Sequence, residues 1–393
     1  MTPRVKRLQL SQFRNYECLD LATDAQLVAL SGDNGAGKTN LLEAISFLCA
    51  GRGLRRADLK DVSRRVSIKS DLTRLDSVSS SHTHLPSIQA WAVSATLHGA
   101  LGDAQLGTGT QECEQGRKCR IDRAPVSSAL AFADHLRLIW LTPAQDGLFA
   151  ASAGERRRFL DRLVLAVDTA HGARVSGLER ALRSRNKLLE EPNFDSSWAS
   201  SIEREIAEIG TCVAAARAET VARLKALISR QRNDLSPFPY ADIALEGELE
   251  TRVMREPASS VEDWFRDELR KTRARDRAAG RTLTGPQMSD FVVIHGPKQA
   301  PAALSSTGEQ KALLIGLILA HGQLVNEMTG IAPILLLDEI AAHLDPRRRA
   351  ALYELLRDLG GQVFMTGTDA SLFEALGADS LQLNVEGGVI TSR

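Results

Sequence analysis

The chain has 393 residues, 43% of them hydrophobic and 25% charged, and its 49 basic residues balance 49 acidic ones. Such a length and composition predict two or three globular domains. Zero net charge excludes a global field steering the protein to nucleic acid or membrane and leaves that task to local patches. The five cysteines, Cys18, Cys49, Cys113, Cys119 and Cys212, are scattered with no CxxC spacing. That pattern favours reduced cytosolic thiols over disulfides or zinc. The opening residues "MTPRVKRLQLSQFRNYECL" lack the apolar core of a signal peptide. The longest apolar run, Ala312 to Ala320, is half of what a membrane span needs. A cytoplasmic protein without a membrane segment is expected.

In chain order, Val5 to Leu10 and Leu27 to Leu30 read as strands, the second running into a glycine-rich turn. Lys38 to Cys49 carries Leu41, Leu42, Ile45 and Leu48 at helical spacing. Residues 70–120 are rich in Ser, Thr and Gly, with alternating pieces such as "IQAWAVSATL". They predict a small antiparallel sheet, with "SVSSSHTHLPS" expected to be disordered. Leu136 to Leu141 reads as a buried strand. Between 155 and 235 the texture is helical. Ile202, Ile206, Ile209, Val213, Ala216, Thr220, Leu224 and Leu227 form the seam of a long helix, with 155–190 as its partner and "EEPNFD" as the turn. A third helix is expected over 261–281. After Gly285 strand and helix alternate again: "FVVIH", a helix over 308–328, "PILLLDE", a helix over 346–359 and "QVFMTG". One α/β body split by a helical insertion is the predicted organisation.

The stretch "GDNGAGKT", Gly32, Asp33, Asn34, Gly35, Ala36, Gly37, Lys38 and Thr39, fits G-x-x-x-x-G-K-[ST] between a strand and a helix. The glycines let consecutive N–H groups turn toward phosphates, and the helix start adds its positive end. Lys38 is placed to reach the β- and γ-phosphates of ATP, and the Thr39 hydroxyl to ligate Mg²⁺. "ILLLDE" ends a buried strand in two carboxylates, which have no packing use at such a tip. Beside a phosphate loop, Asp338 would orient Mg²⁺ and Glu339 would polarise the attacking water. Gln145, in "LTPAQDGLF", is a candidate to sense Mg²⁺ or the water, with neighbouring Asp146 as its rival. Asp345 closes "AAHLD" before a proline, and by itself would be a helix cap. Taken by itself, "STGEQ", beginning at Ser306, would also be only a capped helix start. It stands some 30 residues before "LLLDE".

With these elements in this order the chain resembles the SMC class of ABC-type ATPases. The blocks "LQLSQFRNY", "NGAGKTNLLEAI", "RRRFLDRLV" and "STGEQKALLIGLILAH" narrow the resemblance to the RecF family of bacterial recombination mediators. That resemblance implies an α/β fold with an ABC-type P-loop ATPase head over 1–152 and 284–393, including an antiparallel β lobe near 70–130. An inserted helical arm, a short coiled coil, would occupy 153–283. It implies a signature motif in which Ser306 and Gly308 cap the nucleotide of a second subunit, with the helix N-terminus aimed at phosphate. Arg14, Asn15 and Asp345 would join the nucleotide contacts. It further implies ATP-dependent homodimerisation, weak ATP hydrolysis, sequence-independent binding of gapped or junction DNA, and recombinase loading with RecR and RecO. Two departures stand out. "GPQM" (Gly285 to Met288) replaces the family's basic "GPHR". "MTGT" (Met365 to Thr368) carries no switch histidine.

Three basic clusters are candidates for DNA phosphate contacts or for solvated faces. The first holds Arg52, Arg55, Arg56, Lys60, Arg64, Arg65 and Lys69. The second holds Arg266, Arg270, Lys271, Arg273, Arg275, Arg277 and Arg281, and the third is Arg156 to Arg158. Few aromatics favour backbone binding over base stacking. A transporter's ATPase subunit is disfavoured because its signature and phosphate loop lie closer together, without an inserted helix pair. A structural tether would need a far longer coiled coil.

Overall fold

The computed structural model describes residues 2–64, 90–99, 101–111, 116–342 and 344–392. The expected disorder of "SVSSSHTHLPS", and the residues Arg65, Lys69, Cys113 and His343, lie outside the described residues. In chain order the elements are β1 (Arg4–Phe13), β2 (Tyr16–Ala22), β3 (Leu27–Ser31), α1 (Lys38–Ser46), the single turn α2 (Leu59–Val62), β4 (Ala92–Gly99), β5 (Gly102–Gly109), β6 (Lys118–Ile121), β7 (Ala124–Val126) and β8 (Leu138–Leu141). Then follow α3 (Ala153–Val167), α4 (His171–Glu190), α5 (Ser196–Arg230), β9 (Ala241–Glu246), α6 (Glu248–Val253), α7 (Ala258–Lys271), α8 (Arg273–Ala279), β10 (Asp290–His295), β11 (Ala300–Pro301) and α9 (Thr307–Thr329). β12 (Ile334–Leu337), α10 (Pro346–Asp358), β13 (Val363–Gly367), β14 (Leu381–Glu386) and β15 (Val389–Ser392) complete the chain.

Two compact units divide these elements, Met1–Pro143 with Ile331–Arg393, and Ala144–Gly330. The first holds two sheets. One is antiparallel, in the order β2-β1-β4-β5-β6-β7. Its strands alternate buried and exposed positions, as half-covered strands do; in β4, Val93, Ala95 and Leu97 face inward. The other sheet has the order β15-β14-β3-β13-β12-β8 and is parallel except for the β15 edge. Its strands β3, β13, β12 and β8 are buried at every position, because a parallel sheet is covered on both faces. One apolar cluster gathers Leu8, Val93 and Leu106 from the first sheet, Val28, Leu336 and Phe364 from the second, and Leu41, Leu42 and Ile45 from α1.

The second unit is built on α5, a 35-residue helix about 52 Å long. Ile202, Ile206, Val213, Leu224 and Leu227 are buried along it. Its expected partner is not one helix. The chain breaks at Asp168, whose Oδ1 accepts the Ala170 amide and so offers the backbone a turn in place of the next helical bond. The helix expected over 261–281 likewise divides, at Thr272. "FVVIH" forms β10 but does not return to the large sheet. It pairs antiparallel with β9 and β11 in a separate three-stranded sheet. The compact unit therefore takes in 284–330 as well as the expected arm. α9 is the one helix among the described residues long and apolar enough to cross a membrane. Leu313, Leu314, Leu317, Ile318, Leu324 and Val325 bury it within its own unit, so it reads as a core helix.

Candidate functional site

In the first unit, β3, β13 and β12 lie side by side and parallel, so their carboxyl ends open on one edge of the sheet. Ligands of open α/β sheets bind at that edge. The sequence places "GDNGAGKT" at the end of β3, Thr366 near the end of β13, and Asp338 and Glu339 just past β12.

The phosphate loop owes its path to glycine. Gly37 has φ 120°, and a Cβ there would stand 2.4 Å from the Asn15 amide nitrogen. Gly32, at φ 145°, would drive a Cβ to 2.2 Å from the Val385 carbonyl oxygen. No other residue type fits either position. The loop is braced from outside. Asn15 Nδ2 donates to the Ala36 carbonyl at 3.0 Å, and the Tyr16 hydroxyl to the Gly37 carbonyl at 3.0 Å. The Gly388 amide also donates to Ala36 at 3.1 Å. Asp33, Asn34 and Gly35 are exposed at the loop tip, while Ala36, Gly37 and Lys38 are buried.

Lys38 is 5% exposed, and its ammonium donates to the Gly32 and Asp33 carbonyls at 2.6 and 2.8 Å. Burial pushes its pKa down, against the pull of Glu339, Asp338 and Asp33. An ammonium so held is a positive charge kept inside the loop by two backbone carbonyl acceptors, which suits a polyphosphate. Thr39 Oγ1 donates to Asp338 Oδ1 at 2.8 Å. Asp338 Oδ1 also accepts the Thr366 hydroxyl at 2.7 Å, and that same hydroxyl accepts the Glu339 amide at 2.9 Å. Glu339 stands in the left-handed region at φ 50°, where a residue other than glycine is strained.

Thr39 and Asp338 offer two hard oxygens within hydrogen-bond distance of each other. No group of three or more His, Cys, Asp or Glu side chains gathers among the described residues. That suits a magnesium ion, which takes one or two protein oxygens and otherwise relies on phosphates and water.

Arg14, Asn15 and Asp345 are occupied structurally. Arg14, at φ 53°, clamps the fully buried Glu43 of α1 at 2.9 and 2.6 Å and donates to the Asp61 carbonyl at 2.7 Å. Asn15 accepts from Asn40 at 2.7 Å while bracing the loop. Asp345 caps α10 by accepting the Arg348 amide at 2.9 Å, and that bond lowers its pKa.

In the second unit, Ser306 caps α9 in a capping box: the Ser306 amide donates to Glu309 Oε2 at 3.1 Å, and the Ser306 side chain accepts from the helix. Lys298 donates to Glu309 at 2.6 Å, holding that carboxyl near pKa 2. Ser306 is exposed, and nothing lies within 4 Å of a Cβ built on Gly308. Gln310 is turned inward instead, donating to the Ser305 carbonyl at 2.8 Å. The start of α9 therefore presents a hydroxyl and open backbone at a helix N-terminus. Gln145 and Asp146 follow Pro143 in a short turn, both half-buried. Asp146 pairs with buried Lys311 at 3.5 Å.

The basic clusters are partly spent. Arg156 forms a bidentate pair with Asp290, and Arg157 donates to the Ser289 carbonyl. Arg158 pairs with Glu155. Arg266, Arg270 and Arg273 pair with Asp263, Asp267 and Glu203. Lys271, Arg277 and Arg281 form no ion pair among the described residues. In the first cluster Arg52 pairs with Asp58, Arg55 with Glu43 and Arg64 with Glu17. Sequence reasoning missed Thr366, noticed only as part of "MTGT", and Glu43, a charge among the apolar positions of α1. That misplaced charge was the available signal.

Residues 4–382 match the family described as the RecF/RecN/SMC N-terminal domain. The chain is 52% identical over 389 residues to the DNA replication and repair protein RecF of Brucella abortus, covering 98% of this chain and 96% of that one. It is 50% identical to the RecF of Allorhizobium ampelinum, covering 98% and 97%. Among solved structures, the recombination mediator protein RecF with ATPrS superposes with a TM-score of 0.82 at 20% identity, covering 100% of this chain and 98% of that one. An SMC head domain from Pyrococcus furiosus superposes at 0.53 with 16% identity, covering 100% and 96%. At those identities the structures speak to fold.

Proposed function

The chain belongs to the RecF family, and from that premise we propose that it is an ATP-gated DNA-binding protein of replication and recombinational gap repair. The observation carrying the ATP part is the junction of Thr39 and Asp338 at 2.8 Å beneath a glycine loop that curls around Lys38. The DNA part rests on the relatives, which are DNA replication and repair proteins by name.

In this reading the loop amides and Lys38 bind and neutralise the β- and γ-phosphates. Thr39 and Asp338 are the residues to hold Mg²⁺, with Gln145 as a further contact. When bound, the ion offsets charge on the phosphates. Glu339 orients and polarises the attacking water, a role for which its backbone is held by Thr366. Ser306 and Gly308 act on nucleotide held by a second copy of the chain, so ATP is the bridge of a homodimer. The functional head is 1–152 with 284–393, and 153–283 the arm, although α9 packs with the arm's compact unit. Asn15 serves the nucleotide through the loop it braces, and Arg14 through Glu43 of α1. Turnover is slow, and the state of the nucleotide sets how long DNA is held. RecR and RecO are the expected partners, and the cytoplasm the expected compartment.

Fluorescence anisotropy on gapped and blunt duplexes tests the reading. ATP should tighten binding by wild type, more on the gapped duplex, and should do nothing for Lys38→Arg, whose broader guanidinium misplaces the charge. Equal ATP-dependent binding by wild type and variant would remove the phosphate loop from the mechanism.

A further inference from the structure

We propose that Thr366 is a positioning residue of the nucleotide site, holding both carboxylate-bearing residues of the β12 tip at once. The inference rests on the ATP reading above and adds a residue to it.

Thr366 is fully buried near the carboxyl end of β13. β13 lies between β3 and β12, so a side chain at that point stands between the phosphate loop and the Asp338–Glu339 tip. In the ladder Thr366 is opposite Leu30, one residue before Ser31 and two before Gly32. Its one hydroxyl makes two bonds of opposite sense. It accepts the Glu339 amide at 2.9 Å, which fixes which way its own proton points. It then donates that proton to Asp338 Oδ1 at 2.7 Å.

Each bond answers a local need. Asp338 is 7% exposed, and its Oδ1 takes two hydroxyl protons, from Thr39 and Thr366. A buried carboxylate tethered by one donor can rotate about its Cα–Cβ bond; two donors from different elements, Thr39 of α1 and Thr366 of β13, hold one rotamer. Glu339 sits at φ 50°, a conformation of order 1 kcal/mol or more above the usual wells. The bond from its amide to Thr366 helps to keep that strained backbone, and so the direction of the Glu339 side chain. A purely apolar residue would fill the space in β13 equally well, as Val363, Phe364 and Met365 do nearby. The hydroxyl is thus needed for the site and not for the sheet.

The test compares wild type, Thr366→Val and Thr366→Ser. A fluorescent ATP analogue is titrated in EDTA and in Mg²⁺, with hydrolysis and thermal unfolding measured alongside. Thr366→Val should bind in EDTA within about 2-fold of wild type. It should lose roughly 10-fold of the affinity gained from Mg²⁺ and about 10- to 100-fold in hydrolysis, the usual size for a residue supporting a metal ligand. Thr366→Ser keeps the hydroxyl and should restore both to within about 3-fold. Full magnesium gain and hydrolysis in Thr366→Val would overturn the inference. So would equal loss in the valine and serine variants, which would assign Thr366 to packing. A wild type that binds no ATP would overturn the underlying reading, and this inference with it; a wild type that binds while the variants do not differ overturns this inference alone.

Discussion

Glu43→Gln removes one charge and almost no volume from α1, one turn beyond the phosphate loop. Glu43 is fully buried and answers two arginines, Arg14 at 2.6 Å and Arg55 at 2.9 Å. The two pairs are unequal. Arg14 is 21% exposed and fixed further by the Asp61 carbonyl, while Arg55 is 41% exposed and shared with Asn40. An exposed pair contributes about 0–1 kcal/mol, because water and salt screen it. Breaking a buried pair from one side costs about 3–5 kcal/mol, since the remaining charge is stranded. Here the stranded charge is Arg14, which can still reach some water, so the lower end, about 3 kcal/mol, is the expected cost of Glu43→Gln. At roughly 2–4 °C per kcal/mol for a unit of this size, that lowers the melting temperature by about 6–12 °C. Arg55→Ala should cost less than about 1 kcal/mol and shift melting by under about 4 °C. The functional consequence follows through Asn15, next to Arg14 and bonded to the loop carbonyl of Ala36. With Arg14 loosened, ATP should stabilise the variant less than it stabilises wild type. The assay is thermal unfolding of the three proteins with and without ATP and Mg²⁺. Equal small shifts in Glu43→Gln and Arg55→Ala would show that Glu43 is solvated, and would refute the argument from burial.

Glu339→Gln should still bind ATP but hydrolyse it about 10²- to 10⁴-fold more slowly, the usual contribution of a general base, with longer-lived dimers and DNA complexes by sedimentation and anisotropy. Loss of ATP binding in that variant would reverse the roles given to Asp338 and Glu339. Ser306→Arg should bind ATP as a monomer yet neither dimerise nor hydrolyse; mixed with Lys38→Met it should regain activity above either alone, since one composite site keeps both intact halves. Normal ATP-dependent dimerisation by Ser306→Arg would reduce the motif to a capped helix. Burial holds the His321 pKa down to about 4, despite the bond from its ring to the Leu163 carbonyl. The unfolded chain therefore binds a proton that the folded chain refuses between about pH 6.5 and 4, so stability falls as pH drops through that window, by up to about 1.4 kcal/mol per unit. Urea unfolding at pH 7, 6 and 5 should show this slope for wild type and a shallower one for His321→Gln; the same slope in both would exclude His321 as the cause.

The phosphate loop was legible because its information is local. Eight contiguous residues dictate their own backbone, with glycine where φ is positive at Gly32, Gly35 and Gly37, and the structure reproduces the turn between β3 and α1. The long helix α5 and the buried strands β3, β8, β12 and β13 were legible for the same reason, as each carries its period within a few turns or pleats. The hairpin strands β14 and β15 carry weaker alternation, and were not anticipated. Helix breaks at Asp168 and Thr272 turned on single polar side chains bonding to nearby groups, which a count of apolar spacing does not register.

What only the tertiary structure decided is which distant residues share an atom. Thr39 and Asp338 meet across 299 positions, and Thr366 joins them through a strand that reads in sequence as plain core. Arg14 and Asn15, which the family resemblance offers as nucleotide contacts, also brace α1 and the loop, Arg14 through Glu43 and Asn15 through the Ala36 carbonyl. β10 reads in sequence as one more strand of the returning strand–helix alternation, and its pairing with β9 was not legible, because strand pairing depends on partners whose register no local pattern records. Local geometry is written residue by residue in the chain; the convergence of hydroxyls on one carboxylate is a property of the packed sheet, where neighbours in space are set by the order of strands and not by the order of residues.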